Sequence, residues 1–221
     1  PENTASNTEF RWMDMNTIVW LGGTDSDDAD GEYKAKFNIY DGSSNQMITG
    51  TSNITDGNWH HLAATYKSTS MKLYVDGHLE ASGTASDIGT ISGSPALNIG
   101  RYDAGSPSAY AFGSLGRMSV WKTELTHAQL REMYLMNYTE MAAAMDETKC
   151  MAWFQFDGNS ASTNVYNLSA SSSAGTLANS SAWDLPYGYG NWLGSTGSAA
   201  ELASANNRLY LTSTNDIYLQ A

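Results

Sequence analysis

The sequence has little of several features that define common protein classes. Cys150 is the single cysteine among 221 residues, which excludes the internal disulfide framework of small secreted domains. No apolar run approaches the roughly 20 residues that a membrane-spanning helix needs. The N-terminus also lacks the charged and then apolar pattern of a signal peptide. We therefore expect no membrane insertion, and stability must come from core packing, helped by a metal or by oligomerisation.

Positive charge is also scarce. The chain has 11 Lys and Arg residues against 23 Asp and Glu residues, which gives a formal net charge of −12. Such a field repels phosphate backbones and anionic lipid headgroups, so nucleic acid is not an expected partner. The charge is compatible with the binding of cations or of neutral sugars. It is also compatible with no role other than keeping the protein soluble.

Alternating apolar and polar residues dominate the first half of the chain. At residues 32–40, Tyr33, Ala35, Phe37 and Ile39 share one face, which predicts a half-buried strand. Segments rich in Gly, Asp, Asn and Ser separate further candidate strands. These lie at residues 17–21, 46–51, 60–66, 71–76, 96–101, 115–121, 151–157 and 164–168, with weaker candidates at 208–211 and 216–219.

Two local motifs give sharper predictions. Asp76-Gly77 joins two alternating runs and is a dipeptide that readily supplies positive φ at both centres of a type I′ hairpin turn. Thr126 and Gln129 have the spacing of a capping box at the start of a short helix. A second helix is predicted at residues 139–147, whereas the Ser- and Gly-rich stretches at 169–181 and 188–205 predict long loops or extended arms.

Four sequence blocks in a fixed order carry a family resemblance. Residues 56–66 read Asp-Gly-Asn-Trp-His-His-Leu-Ala-Ala-Thr-Tyr, and Leu-Tyr-Val-Asp-Gly follows at 73–77. Leu-Asn-Ile-Gly-Arg at 97–101 and the segment 112–121 complete the set. Together these blocks resemble the laminin G-like branch of the concanavalin A-like jelly rolls. The resemblance implies an all-β jelly-roll sandwich with one or two short helices, to which we add an extended C-terminal arm.

The order of the blocks departs from the usual family arrangement. Ala-Trp-Phe-Gln-Phe-Asp-Gly at 152–158 resembles the strand that opens such a domain, yet here it follows the helix. We expect a laminin G-like sandwich at 1–136, a helical connector at 137–150, and a region at 151–221 that either completes the sandwich or starts a second module. This arrangement is similar to that of structural and tail-associated proteins of bacterial viruses.

Catalytic residues are not expected. The β-glucanases of this superfamily resemble one another through a strand-borne Glu-x-Asp-x-x-Glu, which is absent here, and no two glutamates fall close together on one predicted strand. His60 and His61 are predicted to face opposite sides of a strand, so the four histidines give no metal-ligand pair. The lone thiol of Cys150 is expected to be inert.

Two loops are candidate binding sites. One carries four carboxylates before Gly31 and predicts a Ca²⁺ site, although it lacks the closing glutamate of a complete calcium loop. Its candidate ligands are Asp25, Asp27, Asp28 and Asp30. The other loop exposes aromatic side chains that could stack on a sugar or contact a protein, with Tyr102, Asp103 and Tyr110 as candidate ligand-binding residues.

Two functions remain open from the sequence. The first is a non-catalytic structural or adhesion module of an extracellular assembly, on a virion surface or tail, which contacts neighbouring copies or other structural proteins and forms a homo-oligomer. The second is a calcium-assisted, lectin-like domain that binds cell-surface glycans. Both predict a location outside the cell or on a virion surface.

Overall fold

A computed structural model describes ten parts of the chain. These are residues 9–15, 18–24, 32–86, 97–102, 111, 113–136, 138–156, 164–165, 167–169 and 175–176. The chain divides into two compact units, Pro1–Gly113 with Trp121–Lys149, and Ser114–Val120 with Cys150–Ala221. Within the described residues, no helix has both the length and the hydropathy needed to cross a membrane.

In its described part, the first unit consists of strands with two short helices. The strands are β1 Glu9–Met15, β2 Val19–Thr24, β3 Lys34–Tyr40, β4 Asn45–Asn53, β5 Leu62–Lys67, β6 Ser70–Val75, β7 His78–Thr84 and β8 Leu97–Ile99. The helices are α1 His127–Met133 and α2 Tyr138–Ala144, and a 3₁₀ turn follows at Glu147–Lys149.

The strands form two antiparallel sheets. One sheet has the order β4-β3-β2-β1-β8 and the other has the order β5-β6-β7. Alternate residues of the two central strands meet in one core cluster, with Ala35, Phe37 and Ile39 from β3 and Met71, Leu73 and Val75 from β6. The fold is therefore an all-β sandwich, and the predicted inward face of residues 32–40 is confirmed.

Both local motifs are confirmed. Asp76 and Gly77 have φ values of 49° and 74°, so the β6–β7 hairpin turns through two residues with positive φ. At the start of α1, Thr126 Oγ1 accepts from the Gln129 amide at 3.3 Å, and Gln129 Oε1 accepts from the Thr126 amide at 2.9 Å. The helix then contacts the hairpin, since His127 Nε2 lies 2.6 Å from the carbonyl oxygen of Gly77.

Glu80 joins the edge strands of the two layers. From β7, its Oε2 atom accepts hydrogen bonds from the amides of Thr51 at 2.8 Å and Ser52 at 3.2 Å, both on β4. Its Oε1 atom also accepts from the Ser52 hydroxyl. Gly50 leaves room for this approach, because a Cβ atom there would lie 2.3 Å from Glu80 Oε2.

The structure differs from the sequence predictions in one additional strand and in the bounds of several elements; the helix predicted at 139–147, for example, is Tyr138–Ala144. Strand β1 was not predicted, because a β-bulge between Arg11 and Met13 interrupts its alternation. Strand β2 continues beyond the predicted 17–21 to Thr24. The predicted start of a strand at His60 is wrong, because β5 begins at Leu62. The backbone amide of His61 donates a hydrogen bond to the carboxylate of Asp76 instead of to a neighbouring strand.

The second unit pairs the returning segment with a strand of the same chain. Strand β10, Cys150–Gln155, pairs with β9, Arg117–Trp121, and β11, Asn164–Val165, pairs with β12, Gly175–Thr176. A bridge joins Phe154 to Asn167, whose Oδ1 accepts from the amide of Trp153 at 2.9 Å. The weak strands predicted at 208–211 and 216–219 and the C-terminal arm lie outside the described residues.

Candidate functional site

The face of the five-stranded sheet that lies opposite the core carries many polar and aromatic side chains. Because alternate residues of β3 point into the core, the residues between them point the opposite way. The strand register extends this face over all five strands. We call this surface the outer face, and it comprises Glu9, Arg11, Asp14, Trp20, Gly22, Lys34, Lys36, Asn38, Tyr40, Asn45, Met47, Thr49 and Asn98, with Tyr102 beside it.

Arg11 is the centre of the outer face. Its Nη1 atom donates to Asp14 Oδ2 at 2.5 Å, while Nε and Nη2 donate to Glu9 Oε1 at 3.2 and 3.0 Å. Its guanidinium carbon also lies 4.6 Å from the ring centre of Trp20 and 4.3 Å from that of Tyr102. Two carboxylates and two aromatic rings therefore hold the guanidinium.

This arrangement is largely shielded from solvent. The side chain of Arg11 is 13% exposed, that of Asp14 is 0% exposed, and Trp20 retains 3% of its surface. Buried charges of this kind are stable only when they are paired and hydrogen-bonded, as they are here. The Trp20 and Tyr102 rings and the guanidinium are thus held in place before any ligand arrives.

The local backbone explains how Arg11 reaches this position. A β-bulge follows Arg11, where β1 lies close to β2. Gly22 of β2 pairs with Arg11 of β1 on one side and with Lys36 of β3 on the other. A Cβ atom on Gly22 would lie 1.9 Å from the carbonyl oxygen of Phe10, so only glycine allows this approach.

Lys36 and Asn38 of β3 pair in register with Gly22 and Trp20 of β2. Lys36 Nζ lies 3.8 Å from Glu9 Oε2 and 5.8 Å from the centre of the Trp20 ring. Asn38 is fully buried and donates from Nδ2 to Asn45 Oδ1 at 3.1 Å, but its Oδ1 atom has no hydrogen-bond partner among the described residues. Unpaired buried acceptors are rare and call for an explanation.

The outer face has the chemistry of a surface that binds neutral polar ligands. The partly exposed ring of Tyr102 can stack against a sugar ring, and the ammonium of Lys36 can donate to its hydroxyls. Glu9 and Asp14 are both engaged by Arg11, so neither resembles the free acid and base of a glycosidase pair.

The structure places one of the predicted ligand-binding residues on this face. Tyr102 stacks on Arg11, whereas Asp103 and Tyr110 lie outside the described residues. The four candidate calcium ligands lie outside them as well, so the calcium site stays a prediction; they are Asp25, Asp27, Asp28 and Asp30. Among the residues that are described, no group of three or more His, Cys, Asp or Glu side chains could hold a metal ion.

A second polar cluster surrounds His60 on the same unit. Its Nδ1 atom lies 2.8 Å from Asp76 Oδ2 and its Nε2 atom lies 2.9 Å from Asp56 Oδ1. A neutral imidazole has one N–H, so only the protonated ring can donate to both carboxylates. Burial lowers the pKa of His60, but the bonds and charges of Asp76 and Asp56 outweigh it and raise the pKa above 6.5.

This cluster predicts a pH-dependent stability. Stabilisation by His60 is complete below its unfolded pKa and is lost as the pH rises through the higher folded value. The stabilisation by the Asp56 carboxylate is lost only at strongly acidic pH. The Asn58 backbone and side chain and the His60 ring lower the pKa of Asp56 to about 2. We expect His60→Ala to lower the melting temperature by about 2–4 °C at pH 5.5 and by less at pH 9. The exposed His78 replaced by alanine is the control, and an equal effect of His60→Ala at both pH values would contradict the prediction.

Cys150 is buried in the second unit. Its Sγ atom donates to the carbonyl oxygen of Ala152 at 3.4 Å. Burial raises the pKa of the thiol to about 11, which keeps it protonated and poorly nucleophilic at neutral pH.

A family comparison decides the classification of the chain. Residues 7–131 match the family model Laminin_G_3, described as the concanavalin A-like lectin/glucanases superfamily. The chain belongs to this superfamily. The match includes β1 to β9 and most of α1, so the outer face lies within the concanavalin A-like part of the chain.

Curated relatives of this concanavalin A-like chain share a short segment with it. The sushi, von Willebrand factor type A, EGF and pentraxin domain-containing protein 1 of Rattus norvegicus is 31% identical over 96 residues, and that of Mus musculus is 32% identical over 94 residues. These segments cover 40% and 39% of this chain but 3% of each relative. The likeness is therefore to one part of a much longer protein.

A solved structure supports the fold. It belongs to a Bacteroides ovatus protein to which a carbohydrate-binding role is ascribed, and it superposes with a TM-score of 0.54 at 16% sequence identity. The superposition covers 78% of this concanavalin A-like chain and 50% of the other.

Proposed function

We propose that this chain is a non-catalytic carbohydrate-binding module of an extracellular or cell-surface protein, and that the sugar binds at the outer face. The observation that carries the proposal is the arrangement of Arg11 between the rings of Trp20 and Tyr102. Fixed aromatic and hydrogen-bonding groups on a rigid sheet give a sugar both a stacking surface and polar partners. Membership of the lectin/glucanase superfamily supports the same function.

The sequence favoured a structural or adhesion module over a lectin-like domain. The proposal favours glycan binding instead. The structural neighbour from Bacteroides ovatus, with its ascribed carbohydrate binding, supports the glycan-binding alternative. A location on a virion, assembly with neighbouring copies and a homo-oligomeric state stay predictions from the sequence.

A glycan array probed with and without EDTA tests the proposal. We expect reproducible binding to a defined set of glycans, unchanged by EDTA, because the outer face provides its own polar groups without a metal. Binding that EDTA abolishes would assign the sugar to the predicted calcium loop at residues 25–30 instead. Binding to no glycan would reject the proposal. It would favour the other function predicted from the sequence, a structural or adhesion module of an extracellular assembly.

Tyr102→Ala tests the position of the site. Removal of a stacking ring should weaken glycan binding by about 5- to 10-fold, as measured by titration calorimetry. Tyr134→Ala is the matched control, because Tyr134 is 41% exposed and follows α1, away from the outer face. If both variants bind as the parent does, the sugar lies elsewhere.

A further inference from the structure

We propose that protonation of His60 is a pH switch: the protonated ring holds the loop that carries Trp59 to the β6–β7 hairpin, and the neutral ring releases the tip of this loop. The loop comprises residues 54–61, which connect β4 to β5. Neither His60 nor Trp59 belongs to the outer face, so the inference does not depend on the proposed function.

The ring of His60 bridges two separate turns. Its Nε2 atom lies 2.9 Å from Asp56 Oδ1 in the loop, and its Nδ1 atom lies 2.8 Å from Asp76 Oδ2 in the hairpin turn. An ionised carboxylate accepts hydrogen bonds and has no proton to donate, so both contacts require an N–H of the ring. The imidazolium supplies both, whereas the neutral ring has one N–H and must point a lone pair at one of the carboxylates. Loss of the proton therefore replaces one hydrogen bond by a repulsive contact.

The contact with Asp56 is the one that we expect to break. Asp76 is fixed to the end of the loop by two hydrogen bonds that involve no titrating proton. Its Oδ1 atom accepts from the amide of His61 at 2.7 Å, and its own amide donates to the carbonyl oxygen of His61 at 2.8 Å. Asp56 accepts from the amide and the side chain of Asn58, but these bonds lie within the loop and do not tie it to the hairpin. The neutral ring of His60 thus keeps Asp76 and releases Asp56.

Other titratable or charged side chains surround the hairpin turn in the described part of the chain. They are His61 before β5, His78 at the start of β7, and His127, Arg131 and Tyr134 on or next to α1. His127 Nε2 lies 2.6 Å from the carbonyl oxygen of Gly77, a contact that a ring N–H can make in either protonation state. Arg131 lies against the same glycine and stays charged. Contacts between α1 and the turn therefore persist while His60 titrates.

Trp59 gives the switch a consequence at the surface. It directly precedes His60 and keeps 63% of its surface exposed. The bridge holds this side chain in one position at acidic pH, whereas release of Asp56 lets the loop tip move while β5 stays in its sheet. An exposed tryptophan is a favourable anchor for a partner, and it binds at a lower entropic cost when it is fixed beforehand. The pH thus controls how well Trp59 is positioned for contact.

Carbon NMR relaxation tests the release. In ¹³C-labelled protein, order parameters at the Cα atoms of residues 56–59 are measured at pH 5.5 and pH 8.5, which requires no exchangeable proton. We expect them to fall from about 0.85 to below about 0.6, while those of His61 and Asp76 stay near 0.85. The midpoint should match the titration of the His60 ring and lie above pH 6.5, because burial lowers the pKa of that ring less than its two carboxylates raise it. Order parameters that do not change, or that fall equally in loop and hairpin, would overturn the inference.

Two variants separate the switch from a merely structural role of the loop. In Asp56→Asn, the amide can donate to Nε2 of the neutral ring, so the loop tip should stay ordered at both pH values. In His60→Ala the bridge is absent, and the tip should have low order parameters at both. His78→Gln is the control, because His78 is exposed on β7 and its replacement should leave the response of the parent unchanged. An Asp56→Asn protein whose loop tip loses order at pH 8.5, as in the parent, would overturn the inference.

Discussion

Replacement of Gly22 by alanine is expected to destabilise the domain by about 3 kcal/mol or more, or to prevent folding. A Cβ atom there would lie 1.9 Å from the carbonyl oxygen of Phe10 and 2.9 Å from the Cα atom of Arg11. Both are backbone atoms, so rotation of a side chain cannot relieve the overlap. Strand β1 would have to move away from β2, which would also displace Arg11 from the outer face.

Urea denaturation followed by tryptophan fluorescence measures this effect. Gly57→Ala is the control, because Gly57 has φ +89° but no atom of the described residues lies within 4 Å of the added Cβ atom. That variant should lose about 1–2 kcal/mol from backbone strain alone. If Gly22→Ala were as stable as Gly57→Ala, the close packing of β1 on β2 would be wrong.

Replacement of Arg11 by methionine is expected to cost about 3–5 kcal/mol, because it removes a charged partner of a buried carboxylate. Asp14 is fully buried and accepts from Arg11 Nη1 at 2.5 Å. Without the guanidinium, a carboxylate that has no contact with solvent loses a charged hydrogen-bond donor. Glycan binding should fall in the same variant, because Arg11 also positions Tyr102.

The double variant Arg11→Met with Asp14→Leu separates pairing from packing. Hydrophobic replacement of a whole buried ion pair is often neutral, so most of the lost stability should return. Glycan binding should remain weak in the double variant, since the guanidinium that holds Tyr102 is still absent. A double variant no more stable than Arg11→Met would show that the stability depends on Arg11 itself rather than on its ion pair with Asp14.

Much of the sandwich could be predicted from local patterns. Residues 32–40 alternate because β3 has one face in the core, and Asp76-Gly77 supplies the two positive φ values that its hairpin requires. The capping box of Thr126 likewise depends on residues three positions apart. Each of these features depends on residues that are close together in the sequence. A short segment therefore contains all the residues needed to predict it.

The candidate site could not be predicted in the same way. Arg11, Trp20, Lys36 and Tyr102 come together from different parts of the chain, so no short motif contains them. The bulge that positions Arg11 also breaks the alternation by which β1 would be recognised. Tyr102 was predicted as a ligand-binding residue from its loop composition, but its stacking on Arg11 has no sequence signal.

Glu80 has a consequence beyond joining the two layers. Strand β4 is an edge of the described five-stranded sheet, and free amides on an edge strand can recruit a strand from another molecule. The carboxylate occupies the amides of Thr51 and Ser52 and brings a negative charge to that edge. Glu80 therefore leaves fewer free amides on this edge for a strand of another molecule to pair with.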